Sequence, residues 1–288
     1  MPFRRLYFAT FILGLLCTSA SGQETLQQDV DRTFNLVRVA VEDAGMTSVL
    51  AIDHARLAAA EGVEMPPSRV QLFSDARLNT TILQENLRAG LDLPFRVLSY
   101  AENGASAVTY TSAAFIAQRH ALPAGPPLSD FDARIDAAFD RLGSTVPRPA
   151  PTDGVNTDFA VLELTSPFPV SETVARLKAA ITAQSDTIWF GDIDFEQQAK
   201  AFDVTLGPAR LLLFGGPAPG GVAMATYPAI SLDAFCQKLL VYEGENGEAI
   251  VLYNDIAALA KLHYGQSGEP HAMLNKRLTQ TFTNAITQ

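Results

Sequence analysis

Cysteine is nearly absent from this chain: 288 residues hold two, Cys17 and Cys236. That excludes a disulfide framework and the clustered thiols of a structural zinc site. Histidine is almost as scarce, at four, and no His-rich or Cys-rich cluster lies close in sequence, so no metal and no cofactor is expected. Basic residues, 21, are outnumbered by 31 acidic ones. A chain of this charge repels phosphate backbones, which argues against a nucleic-acid partner. No Ser/His/Asp or Cys/His nucleophile signature is present. The one glycine-rich loop, from Gly215 to Gly221, lacks the Lys-Ser/Thr of a phosphate-binding loop and holds two prolines; it reads as a strand-to-helix turn.

Long apolar runs are missing too, apart from the first residues. Arg4-Arg5 precede an apolar Leu6 to Leu16 and the small residues Thr18-Ser19-Ala20-Ser21-Gly22. This is the order of a secretory signal, and the run is too short for a spanning helix. Residues 1–22 are therefore expected to be removed, with cleavage after Ala20 or Gly22. The expectation is an exported protein, periplasmic or secreted, with no stable membrane insertion. Cys17 invites a lipid anchor, but Leu16 is bulky where a lipoprotein signal wants a small residue. Cleavage leaves one cysteine, Cys236, in an apolar run, and it reads as buried and inert.

What the chain does have is an internal repeat. Ile52-Asp53-His54, Arg69, Val70 to Phe73, Leu91-Asp92, Arg96 to Tyr100 and Val108 to Tyr110 return in the same order. They come back as Ile193-Asp194-Phe195, Arg210, Leu211 to Phe214, Leu232-Asp233, Lys238 to Tyr242 and Val251 to Tyr253. The spacing is 141 residues at Asp53/Asp194, 142 at Tyr100/Tyr242 and 143 at Tyr110/Tyr253. His120 pairs with His263, and Phe131, Ile135 and Phe139 pair with Leu274, Leu278 and Phe282. A length and hydrophobic content (48%) sufficient for two modest cores agree with a duplication.

Residues 23–143 form the first repeat and 158–288 the second, joined by a linker over 144–157 that carries Pro147, Pro149 and Pro151. Alternating apolar residues predict strands, and Asn-Gly at 103–104 and 246–247 predicts hairpins. Helices are expected from about Asp31 to Ala44 and, capped by Ser129, from Ser129 to Leu142. The second repeat opens with a strand over Asp158 to Thr165. Its counterpart in the first repeat falls at residues 17–25, so that repeat is expected to lack the strand or to take one from elsewhere. An exposed edge of this kind favours close docking of the repeats or a homodimer. The fold class expected is α+β: two tandem homologous domains, each with helices on a mainly antiparallel sheet of four or five strands, arranged as a pseudo-twofold pair.

The second repeat resembles the domain-of-unknown-function 302 family through Ile193-Asp194, Gly207-Pro208, Leu211 to Pro217, Ile230 to Asp233, Lys238 to Glu243 and Tyr253-Asn254-Asp255. In the first repeat Asp53-His54 and Leu91 to Arg96 look like the same pattern. The resemblance implies a small α+β domain but no activity. Family members carry Asp-His, Phe-Gly-Asn-Pro and Tyr-Asn-Asp together. Here Phe195 stands for the histidine and Gly216 for the asparagine, while the first repeat has Phe73-Ser74-Asp75-Ala76 and Tyr110-Thr111-Ser112. A complete polar site would need both copies.

Asp53-His54 is the strongest candidate for chemistry, since a carboxylate beside an imidazole could hold a proton or bind a metal. The competing reading makes Asp53 and Asp194 helix caps and His54 a surface residue. His120 and His263 sit near helix C-termini, where the helix dipole favours imidazolium. Arg69/Arg210 and Arg96/Lys238 are paired basic positions that could hold an anionic ligand or ion-pair with Asp92 and Asp233. The expected function is thus a binding or accessory protein with a small molecule or protein partner at the cleft between repeats, contacted by Asp53, His54, Arg96, Asp194, Lys238 and His263. The first alternative is an enzyme using Asp53 and His54 with His120; the second is a dimerising interaction protein.

Overall fold

The computed structural model describes residues 13–287. The first repeat runs α1 (Leu13–Asp43), β1 (Thr47–Asp53), α2 (His54–Ala60), β2 (Ser68–Ser74), α3 (Ala76–Glu85), a 3-10 turn (Leu87–Leu91), β3 (Phe95–Glu102), β4 (Ala105–Tyr110), α4 (Ala113–His120), α5 (Pro126–Phe139) and β5 (Arg148–Pro149). The second runs β6 (Val161–Ser166), α6 (Val170–Thr182), β7 (Ile188–Asp194), α7 (Phe195–Lys200), β8 (Ala209–Gly215), α8 (Pro217–Met224), a 3-10 turn (Pro228–Leu232), β9 (Gln237–Glu243), β10 (Ala249–Asn254), α9 (Ile256–Tyr264) and α10 (Glu269–Thr287).

Short polar residues set the helix starts. Asp53, Asp75, Ser112, Asp194 and Asp255 each accept a backbone N–H from the first turn of the helix they precede. Asn103 and Gly104 both take positive φ, as a tight hairpin between β3 and β4 requires. The sheets have the orders β1-β2-β3-β4-β5 and β7-β8-β9-β10-β6. All neighbours are antiparallel except β5, which runs parallel to β4.

The two-residue period of the strands sorts the apolar residues onto two faces. Leu212, Phe214, Leu239, Val241, Val251 and Tyr253 pack beneath α6 and α10, whereas Leu211, Leu213, Leu240, Ile250 and Leu252 join a core shared with the first repeat. Each repeat covers the other's sheet. The 3-10 turn Pro228–Leu232 lies on β2, β3 and β4, and Leu87–Leu91 lies on β8, β9 and β10. Helix α2 packs against α8, and α3 against α7. Contacts of this reciprocal kind are those of a twofold interface built within one chain. Gly221 permits the α2–α8 approach, because a Cβ there would stand 2.6 Å from Ala58 Cβ.

Three local readings change. Helix α1 is already formed at Leu13, well before Asp31. The Gln, Glu and Leu residues of 23–30 are good helix formers, and Val30, Phe34, Val37 and Val41 continue one buried stripe. The segment 17–25 is therefore helix, and the first sheet gains its fifth strand from Arg148–Pro149, which pairs with Thr109 and Tyr110. Helix α5 starts at Pro126 behind Gly125, ahead of Ser129, because proline suits the first helical turn. Of the expected signal segment, residues 1–12 lie outside the described residues.

Candidate functional site

Three of the polar pairs that recur in both repeats, Asp92/Asp233, Arg96/Lys238 and His120/His263, meet at the middle of the contact between them with their side chains buried. Asp92, 0% exposed, closes the first 3-10 turn, and four cationic or imidazole side chains converge on it. Arg119 Nη1 donates to both carboxylate oxygens at 2.9 Å, Arg96 Nη2 to Oδ1 at 2.8 Å and His120 Nε2 to Oδ2 at 2.7 Å. Lys238 Nζ, from the second repeat, stands 3.5 Å from Oδ1. Asp233 is the counterpart of Asp92. Its Oδ1 receives Thr111 Oγ1 at 3.3 Å and lies 3.2 Å from Arg96 Nη2. Its Oδ2 is 3.5 Å from His263 Nε2, and neither of those two atoms has a hydrogen-bond partner.

Arg119 completes the lock. Its remaining donors reach the carbonyls of Phe159 and Ala160 and Asn254 Oδ1, and Asn254 Nδ2 donates to the Asp233 carbonyl. Burial opposes ionisation of Asp92, but Arg119, Lys238 and His120 outweigh it and hold the carboxyl well below the usual carboxylate range. Asp233 is likewise low, where Arg96, His263 and Lys238 overcome burial. Burial pushes the Lys238 ammonium down to about 7, with Arg96 adding to the effect, and burial also lowers His120 against the pull of Asp92. Two carboxylates facing two guanidiniums and a lysine form a network whose members cannot be removed singly without stranding a charge.

The structure thus brings together Arg96, His120, Lys238 and His263, and it leaves Asp53, His54 and Asp194 elsewhere. Asp53 caps α2 and turns outward to Arg56 at 2.5 Å and Arg69 at 3.4 Å, beside Asp31. Asp194 caps α7 and pairs with Arg210. His54, next to Asp53 in sequence, points the other way: it is 6% exposed, so it is no surface residue, and its Nε2 has no hydrogen-bond partner. The carboxylate and the imidazole diverge because the first residue of a helix leaves its cap at a wide angle and the apolar contact with α8 claims the ring.

His54 lines a cavity of about 20 Å³ between the repeats. Ile52 and Leu57 of the first repeat share it with Phe190, Gly215, Gly216, Met224 and Cys236 of the second. Burial pushes the His54 imidazole down to about 3 and the Cys236 thiol up to about 11, so both are neutral near pH 7. The Met224 sulfur receives the Ser231 hydroxyl at 2.9 Å. The space matches roughly one water-sized probe sphere. Sequence reasoning did not foresee Arg119 or Met224. Arg119 has Leu262 as its counterpart, and Met224 has Leu83, so each shows only as a break in the repeat.

Among the described residues no helix is long and apolar enough to cross a membrane, and no group of three or more His, Cys, Asp or Glu gathers as a metal site. The chain is similar to the fluoride-specific ion channel FluC 1 of Brucella suis biovar 1 (strain 1330), 32% identical over 106 residues, which cover 35% of this chain and 41% of that protein. It is equally similar, at 32%, to FluC 1 of Brucella abortus biovar 1 (strain 9-941), of which 39% is covered. The chain spans about two fifths of the length of these curated relatives. A solved crystal structure of a DUF302 protein from Bacillus stearothermophilus matches over 44% of this chain and 98% of its own, at 16% identity and a TM-score of 0.36. The family model described as domain of unknown function DUF302 matches residues 23–142 and again 162–285, and the chain belongs to that family as a tandem pair of its domains.

Proposed function

We propose that this protein is an exported binding protein that takes a small ligand between its two repeats, at the cavity beside His54, and that it is not a catalyst. One observation carries the reading: a buried imidazole nitrogen without a partner at an inter-repeat cavity. Leaving a buried polar group unpaired costs roughly 1–3 kcal/mol, which a bound ligand would offset. The residues an enzyme would need are dispersed. Asp53 serves Arg56 and Arg69, and His120 serves Asp92. The ion network supplies rigidity, holding the two halves of the cavity in register.

Export, to the periplasm or beyond, is supported by Arg4-Arg5, the apolar run and the small residues that follow. Amino-terminal sequencing of protein recovered from culture would place the cleavage after Ala20 or Gly22, and an intact Met1 would contradict export. A homodimer through the edge of the first sheet has less support, since β5 occupies that edge at Thr109 and Tyr110.

Thermal-shift measurements on purified protein with metal ions, small carboxylates and halides test the binding reading. The expected result is a stabilising ligand whose effect disappears in His54→Phe. Fluoride belongs in the set because the relatives are named for it. Stabilisation by fluoride that survives His54→Phe would move binding to the cationic network and overturn the His54 reading.

A further inference from the structure

The two repeats build the same corner twice, and the copies differ in chemistry. At the corner formed by α2 and α8 stand His54, Met224 and Cys236. The repeat register assigns them Phe195, Leu83 and Pro94 at the corner formed by α7 and α3. Pro94 and Cys236 correspond because each lies two residues before the matched Arg96 and Lys238. Phe195 is 1% exposed and Leu83 2% exposed, and both belong to the shared apolar core. One corner is thus closed with carbon, and its twin carries an imidazole, a thioether and a thiol around a cavity of about 20 Å³.

We propose that this corner is a Cu(I) site, with His54 and Cys236 as ligands and the Met224 thioether within reach as a third. The inference rests on the reading of the inter-repeat cavity as the binding site. Thiolate and thioether select soft ions, and imidazole also suits copper. Structural zinc is held by four ligands, and calcium and magnesium need several oxygens; no carboxylate lines this cavity. Monovalent copper is satisfied by two or three soft donors, and a cavity of one probe sphere accommodates a single ion. His54 Nε2, buried and without a partner, is the nitrogen donor. Copper enters as Cu(I), so no electron moves. The Cys236 S–H bond breaks, the S–Cu bond forms, and the proton leaves to solvent.

The test is anaerobic titration of the apo protein with Cu(I) as its acetonitrile complex, against bicinchoninate as competitor, for wild type, His54→Gln and Cys236→Ser. Circular dichroism and Tm check the fold of each. The expected result is one equivalent of Cu(I) withdrawn from bicinchoninate by wild type and at least tenfold weaker binding by each variant. Failure of wild type to compete, or variants that compete equally, would overturn the site. If the variants do not fold, X-ray absorption of copper-loaded wild type decides: sulfur and nitrogen neighbours support the assignment, and a shell of oxygen and nitrogen alone overturns it. A non-copper mass on protein from its own host, lost in His54→Phe, would overturn Cu(I) while leaving the inter-repeat binding site intact.

Discussion

The two carboxylates Asp92 and Asp233 hold equivalent places, yet they are not equivalently held. Asp92 has Arg96, Arg119 and His120 within 2.9 Å and Lys238 at 3.5 Å, whereas Asp233 has Arg96 at 3.2 Å, Thr111 at 3.3 Å and His263 at 3.5 Å. The corners follow the same rule: His54, Met224 and Cys236 around a cavity on one side, Phe195, Leu83 and Pro94 packed on the other. The duplicated fold needs only one strong lock and one closed corner. The second copy of each position is released from that duty, and His54 Nε2, Asp233 Oδ2 and His263 Nε2 are left without partners there, although Arg96 Nε and His120 Nδ1 are unpartnered beside the strong lock as well.

The largest effect should come from breaking the lock on its strong side. Asp92→Ala strands Arg119 and Lys238 in the interior and should destabilise by about 3–5 kcal/mol, read from urea denaturation. Asp233→Ala leaves Arg96 with Asp92 and should cost less, about 1–3 kcal/mol. Equal losses would erase the asymmetry.

Acid sharpens the contrast between the corners. His54 has a folded-state pKa of about 3 against 6.5, so the unfolded chain takes up a proton that the folded chain refuses. Stability is whole above pH 6.5 and falls as pH drops toward 3, by about 1.4 kcal/mol per unit from this group. His120, also lowered, acts in the same direction. His54→Phe copies the twin corner and should flatten this slope. At pH 7 it should raise stability by about 1–3 kcal/mol, since no buried nitrogen is left unpaired. An unchanged slope in denaturation midpoints between pH 7 and 4 would show that the imidazole is hydrated after all.

The smallest effects belong to the caps, where the repeats agree. Asp53→Ala and Asp194→Ala should each cost about 1 kcal/mol, with Asp53 slightly the greater because Arg56 and Arg69 both lean on it. A loss well beyond this at Asp53 alone would return it to functional candidacy.

The repeat, the hairpins and the layered α+β plan were legible because they rest on periodicity and turn chemistry, which are local. Apolar alternation in Leu211 to Phe214 and Lys238 to Tyr242 even carried the division between the two faces. The ion network was half legible: Arg96, Lys238, His120 and His263 stood out by recurring. Arg119 did not, because its partner position holds Leu262. The divergence of Asp53 from His54 was hidden. Adjacent residues at a helix start face different surroundings, and only the docking of α2 on α8 decides which side chain is buried. Cys236 read as inert from its neighbours in sequence. Its nearness to His54 depends on a contact between residues almost two hundred positions apart.

The most direct test of the central claim is native mass spectrometry of the protein purified from its own host, beside His54→Phe prepared in the same way, each compared with its denatured mass. The account predicts an additional mass on wild type that is absent from a folded His54→Phe. A wild-type protein of bare mass, or an additional mass that persists in the variant, would contradict it.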